Sequence, residues 1–213
     1  MNKIINSKYY KVAFGLAIFT IVYNLFEGII STYFGYSDES LALFGFGLDS
    51  FVETVSGLGI AHMIIRIATQ ETESYDSFEK TALKITGYSF YILAIVLLIT
   101  GFYNIITNHA PTTTIWGIII SVISILIMWV LAFWKIKTGN ILHSDAILAD
   151  AECTKVCIYM SVVLLISSAV YEITGFVYLD SLGAIGLAYY SFKEGKESLE
   201  KAKTGRIECC DND

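Results

Sequence analysis

ADAECTKVCIYMSVVLLISSAV, residues 149–170, decides how this chain is read. Its second half is almost wholly apolar, and the whole stretch has the roughly 20 residues that a helix needs to cross a bilayer. Yet its first turns carry Asp150, Glu152, Lys155, Cys153 and Cys157. A charged side chain at mid-bilayer costs about 2.5–3.5 kcal/mol on insertion scales. Such groups face the interior of a helix bundle and mark a pathway far more often than they face lipid.

The rest of the chain has the same character. Hydrophobic residues make up 55% of it and charged residues 16%, against about 45–50% and 25% in soluble domains. Together with a mean hydropathy of +0.61, this is the composition of a helical membrane protein. Six segments are long and apolar enough to be spans: residues 9–34, 40–67, 81–106, 115–133, 146–171 and 179–192. The expected fold is therefore all-α, a six-transmembrane-helix bundle. An acidic loop, ATQETESYDSFEK (68–80), separates the second and third spans, and the short TNHAPTTT (107–114) separates the third and fourth. The fourth ends in WKIKTGN (134–140), and the sixth helix continues into the charged KEGKESLEKAK (193–203). No soluble domain, long linker or defensible repeat appears.

Orientation follows from the basic residues. Of the 14 Lys and Arg, all but Lys155 fall at one end of the spans, the end that holds both termini. The positive-inside rule places that end in the cytoplasm. No small-residue cleavage site follows the first span, which is expected to be retained. Sorting signals are absent, which points to a microbial plasma membrane. The net charge of −6 comes without a basic patch, so no nucleic acid is expected as partner. The four cysteines fall as Cys153/Cys157 and Cys209/Cys210, unlike an extracellular disulfide framework.

Charges at membrane depth come next. Glu27 lies in the first span, Asp49 and Glu53 in the second, and Asp180 opens the sixth. Asp49 and Glu53 are four residues apart and share a helix face. Two carboxylates so placed repel strongly in a low dielectric, so one holds a proton or a cation lies between them. Cys153 and Cys157 repeat the spacing on the fifth span. A disulfide between them is disfavoured by the parallel side-chain vectors of a rigid helix. Two acid oxygens and two sulfurs from facing helices make a four-ligand site suited to zinc, cadmium or another soft ion. Each residue also has a plainer reading. A membrane cysteine can be a packing residue, and Glu27 can satisfy Asn24 or Ser31. His62 lies on the face away from Asp49 and is read as structural, and His109 as a solvated turn residue.

The motifs resemble the transmembrane domain of the cation diffusion facilitator family, exporters of divalent metals in exchange for protons. The family's second span reads roughly S-x-A-L-x-x-x-x-x-D-S-x-x-D, against ESLALFGFGLDSFVET (39–54) here. Its fifth reads S-x-A-L-x-A-D-A-x-H-T-x-S-D, against HSDAILADAECTKVC (143–157). FEKTALKITGYS (78–89) and LDSLGAIGLAYYSFKEGKESL (179–199) extend the likeness over residues 9–203, and residues 1–203 are taken as one six-helix cation-efflux-like domain. The resemblance implies metal binding by Asp49, Glu53, Cys153 and Cys157, with Cys153 at the family's His and Cys157 at its second Asp. Softer ligands shift relative affinity toward cadmium, mercury or copper(I).

The family's cytoplasmic metal-binding domain has no counterpart in the chain. In its place stands a tail, residues 204–213, whose Cys209, Cys210, Glu208, Asp211 and Asp213 either catch ions at the pore mouth or are simply solvated. The resemblance implies transport of Zn2+ or Cd2+ without a permanent cofactor, antiport against protons by alternating access, and a homodimer in the lipid bilayer. Glu27, Asp150 and Lys155 are accessory candidates. Asp150 lies on the site side as a relay or access ligand. Lys155 points away from the site, to pair with a carboxylate such as Glu27 or to act on the thiols through space. A non-transporting metal-binding or sensor protein is the chief alternative. A thiol redox enzyme would call for a C-x-x-C motif or a cofactor site, and neither is present, so no enzymatic activity is expected.

Overall fold

The structure is a computed structural model that describes residues 2–70 and 77–204, with side chains for 8–68, 77–144 and 146–204. It consists of six helices: α1 (Asn2–Ser37), α2 (Leu41–Gln70), α3 (Ser77–Thr107), α4 (Ile115–Leu142), α5 (Asp145–Thr174) and α6 (Leu179–Thr204). No strand occurs among the described residues. Short connections make successive helices run in opposite directions, so α1 begins and α6 ends at the same end of the bundle. By length and composition α1 to α5 are apolar enough to cross a membrane. The second half of α6 is the charged stretch 193–203, which holds α6 below that standard although it is one continuous helix.

The helices bury small and polar residues and expose large apolar ones. Buried positions include Ala13, Ala17, Asn24, Ser31, Ser121, Ser124, Ser161 and Ser191. Phe26, Ile99, Trp129 and Tyr189 are each more than half exposed. That is the inverse of a water-soluble bundle and suits helices whose outer surface meets lipid. Small residues also permit close approach. A Cβ on Gly35 would run into the backbone nitrogen of Phe44, and one on Gly47 would lie 2.6 Å from the backbone nitrogen of Thr32. α1 and α2 therefore pack backbone to backbone. α3 packs on α6 and α4 on α5 in the same pairwise way, and α2 touches all five other helices. A core of Leu43, Phe46, Leu97, Met160, Leu164 and Leu187 ties α2, α3, α5 and α6 together.

Turn chemistry fixes the helix ends. α4 stops at His143 and α5 at Gly175, both in the left-handed conformation (φ 50° and 65°) with backbone N–H groups bonded back into the last turn. At the end of the bundle away from the termini, the Asp38 carbonyl accepts Thr112 N (2.9 Å) and Thr112 Oγ1 (3.0 Å). The Glu172 carboxylate accepts Thr114 N at 3.0 Å and so caps the start of α4.

Three expectations change here. The acidic loop is shorter than its composition suggests, because α3 begins at Ser77. Glu79 is buried within that helix, 1% exposed, where Arg66 Nη2 donates to it at 2.8 Å and His62 Nδ1 lies 3.2 Å away. α4 runs nine residues past its expected end at 133, to Leu142. That extension carries Lys135, read as lying beyond the fourth span, into the interior, 1% exposed.

Asp180 shows how a charge inside the bundle is satisfied. Its carboxylate accepts Ser40 Oγ at 2.5 Å, Leu41 N at 2.7 Å and Ala42 N at 3.4 Å. It caps the N-terminus of α2 from α6, where a negative group also favours the helix dipole. Asp180→Ala strands these donors and is expected to cost about 1–3 kcal/mol. Thermal unfolding in detergent should show a lowered Tm, with Asp180→Asn retaining part of the loss; an unchanged Tm rules the cap out as a stabilising contact.

Candidate functional site

The second and fifth spans meet where the motifs require. Cys157 Sγ of α5 donates to Glu53 Oε1 of α2 at 2.7 Å. On its other oxygen Glu53 accepts Asn24 Nδ2 of α1 at 3.0 Å. Cys157 is 7% exposed, and its own sulfur also lies 3.3 Å from the Cys153 carbonyl in the preceding turn. A cavity of about 60 Å³ opens at this contact, and an ordered water needs roughly 10–15 Å³ of such space. Glu53, Cys153 and Cys157 line it together with Asn24, Asp150, Lys135 and Glu194.

Of the four expected ligands, three thus share one cavity and two touch. Asp49 lies one turn along α2 from Glu53, is 3% exposed, and has an Oδ1 without a hydrogen-bond partner. It is not among the cavity-lining residues. Among the described residues, no three His, Cys, Asp or Glu side chains are gathered closely enough to hold a metal ion. Side chains on Asp49 and Cys153 would have to turn toward the Glu53–Cys157 contact to complete a four-ligand shell.

The accessory residues land differently from the expectations. Asp150 does line the cavity, but it is held by Lys135, whose Nζ lies 3.0 Å from both of its carboxylate oxygens. The same Nζ donates to Thr154 Oγ1 at 2.9 Å. Lys155 does not pair with Glu27 or any other span. It bonds Glu152 on its own helix at 2.7 Å, with both side chains partly exposed. Glu27 accepts Tyr23 Oη at 2.7 Å and Ser50 Oγ at 3.1 Å, so its partners are not Asn24 and Ser31. Ser50 follows Asp49, and Glu27 therefore braces the α2 segment that carries the acids. Cys209 and Cys210 lie outside the described residues.

Lys135 and Glu194 line the cavity without having been singled out from the sequence. Lys135 had been counted only among the basic residues at the end that holds the termini, and Glu194 only as part of the charged continuation of the sixth helix, 193–203. Both stand on buried helical stripes. On α4 the stripe is Gly117, Ser121, Ser124, Met128, Leu131, Lys135 and Thr138. On α6 it is Asp180, Ala184, Leu187, Ser191, Glu194, Ser198 and Ala202. The three-and-four spacing of small or apolar residues, carried past the nominal end of each span, is the signal that finds them.

Residues 12–203 match the family model of the cation efflux transmembrane domain. The chain belongs to the cation efflux family. It is thereby a cation transporter domain, integral to a membrane, and the cavity lies among the residues that carry the family's second- and fifth-span motifs. A comparison with curated proteins gave no match.

The Lys135–Asp150 pair is buried on both sides, so removing one partner leaves a charge without compensation. Lys135→Met is expected to cost about 3–5 kcal/mol, and the double variant Lys135→Met/Asp150→Leu to recover much of that. Unfolding midpoints in detergent across the four proteins of this cycle provide the check. Additive losses mean that the two side chains do not depend on each other.

Proposed function

We propose that this chain exports zinc- or cadmium-type cations in exchange for protons, with Asp49, Glu53, Cys153 and Cys157 as the ligands of the transported ion. The observation that carries this reading is the hydrogen bond from Cys157 Sγ to Glu53 Oε1 inside the polar cavity. A thiol and a carboxylate that touch across two spans already form half of a mixed sulfur–oxygen donor set, and a thiol on that set selects soft or borderline ions.

Proton exchange follows from the same contact. The thiol proton lies in the bond that joins the two groups, and a metal can bind both only by displacing it. Cys153 must likewise give up its thiol proton to join the set, so loading the cation releases protons and unloading takes them back. If the cavity reloads protons while it faces outward, an inward proton gradient drives the cation out. Alternating access arises when one part of the bundle rocks against another around a site near mid-membrane. The backbone-to-backbone packing of α1 on α2 favours their moving as one unit that carries Asp49 and Glu53. The distribution of Lys and Arg supports a cytoplasmic location for both termini. With that orientation, Cys153 lies one turn nearer the cytoplasm than Cys157.

Glu27 and Lys135 have supporting parts. Glu27 fixes Ser50 and, through it, the turn of α2 between Asp49 and Glu53. Lys135 neutralises Asp150 and holds Thr154, which stands between the two thiols in the chain. A fixed positive charge in the cavity wall keeps the local excess of acids from gathering further protons or cations without limit.

Two experiments decide the matter. In proteoliposomes with an imposed proton gradient, Asp49→Ala and Cys157→Ala should each abolish Cd2+ and Zn2+ flux while leaving the elution profile in detergent unchanged. Wild-type flux in both variants removes the ligand assignment, and tight binding without flux in the wild-type protein favours a sensor. The second concerns selectivity: Cys153→His/Cys157→Asp should move the ratio of Zn2+ to Cd2+ transport by about tenfold or more toward zinc, since imidazole and carboxylate are harder donors than thiolate. An unmoved ratio shows that the thiols do not touch the ion.

A further inference from the structure

Glu194 is the cavity residue that neither the motifs nor the bonding pattern explains. It is 7% exposed. Its Oε1 is buried without a hydrogen-bond partner. It lines the same cavity as Glu53, Cys153 and Cys157, but it comes from α6, which contributes nothing to the four-ligand set. One and two turns further along α6, Ser198 and Lys201 also line the cavity, and Lys201 Nζ lies 2.5 Å from Glu197 Oε1.

A buried carboxylate oxygen without a donor is costly, by several kcal/mol when the group is charged. Apart from Asp49, one of the expected ligands, whose Oδ1 is also without a partner, the acids buried in these helices avoid that cost. Asp180 takes three donors, Glu79 is bound by Arg66, and Asp150 by Lys135. Glu194 stands apart from these, and it faces a cavity in which a thiol is present. Cys153 is the more accessible of the two cysteines on α5. A carboxylate and a thiol on the wall of one cavity of about 60 Å³ are a two-donor station for a partly hydrated cation, with waters completing its shell.

We propose that Glu194 and Cys153 form an inner docking station for the divalent cation, which the ion occupies on its way from the end of the bundle holding the termini to the Glu53–Cys157 contact. The station rests on the reading of this cavity as the cation path. It divides that path into two steps: capture by one carboxylate and one thiol, then transfer one turn inward along α5 to Cys157. Cys153 serves both steps, as the donor that stays attached while Glu194 is exchanged for Glu53. Capture at Glu194 raises the local cation concentration at the mouth and so governs apparent affinity, while the deeper ligands govern the turnover that follows.

The test uses the full chain in proteoliposomes, with Cd2+ supplied on the side of the termini. Glu194→Gln keeps the shape and removes the charge; Glu194→Asp keeps the charge and withdraws it by one methylene. Initial Cd2+ flux is measured against concentration, and alkylation of Cys153 and Cys157 is followed separately by mass spectrometry as Cd2+ is added. In Glu194→Gln, KM and the Cd2+ concentration that half-protects Cys153 should each rise about tenfold, the scale for losing one supporting ligand of a metal site. Maximal flux should stay within about twofold, and Glu194→Asp should fall between Gln and wild type. If KM and Cys153 protection in Glu194→Gln equal those of wild type, the station is overturned while the cation path stands. If Cd2+ protects neither thiol and drives no flux in the wild-type protein, the path itself fails and the station with it. Should Glu194→Gln not fold, Glu194→Asp decides the question through its own KM: a shift supports the station and an unchanged value overturns it.

Discussion

Hydrocarbon offers no hydrogen bonds, and this constraint organises the molecule. A charged or polar group carried into the membrane is costly unless another part of the chain answers it. The answers come from facing helices: Asp180 of α6 on the start of α2, Asn24 of α1 on Glu53 of α2, Lys135 of α4 on Asp150 of α5, Cys157 of α5 on Glu53. Each contact joins helices that are not joined by apolar packing alone. Because lipid competes for Leu and Phe as well as any neighbouring helix does, apolar contacts define few unique arrangements in a bilayer. The polar contacts, together with close approaches such as Gly35 on Phe44, are what make one arrangement of six helices better than the others.

Much of this was legible in the chain. The six helices, their order and the direction of each pass follow from runs of apolar residues separated by short polar turns. The encounter of Glu53 with Cys157 follows from two i, i+4 pairs of ligand-type residues on two spans. What was harder to read came from assigning residues to loops and surfaces by composition. Glu79 and Lys135 lie beyond the most apolar part of their spans, so they read as solvated. Yet their helices continue, and a helix that continues keeps its buried face. Partner choice was also hidden. Lys155 can reach several carboxylates by spacing alone, and the nearby Glu152 took it because a contact three residues along the same helix needs no second helix to be in place. Asn24 was expected to serve Glu27, four residues from Tyr23. Tyr23 serves it instead, which releases the Asn24 amide to hold Glu53.

Interior polar groups divide by how fully they are answered. Glu79 and Asp180 have more than one donor, Asp150 is held through both oxygens by Lys135, and each sits where a helix must be joined to another. Within the described helices, the buried carboxylate oxygens left without a donor belong to Asp49 and Glu194. These groups flank the Glu53–Cys157 contact from α2 and from α6. A protein assembled only for stability gains nothing from leaving acids in that condition, since each could be replaced by a packed apolar residue at lower cost.

The division makes sense if two tasks are kept apart in one bundle. Residues that hold helices together need permanent partners, because a cation able to displace those partners would loosen the fold each time it passed. Residues that handle a passing cation need the reverse. A carboxylate already saturated by arginine or by backbone N–H groups binds a metal weakly, since those donors must first be given up. Asp150 shows the first condition: although it borders the cavity, Lys135 occupies it, and a cation would have to expel a buried ammonium to reach it. Glu53 lies between the two conditions. Its partners are a neutral amide and a neutral thiol, which orient the carboxylate at modest cost and can be exchanged for a metal without stranding a charge. The positions proposed as ligands are those where the bundle has supplied weak, neutral or missing partners, and its structural acids are those where it has supplied strong ones.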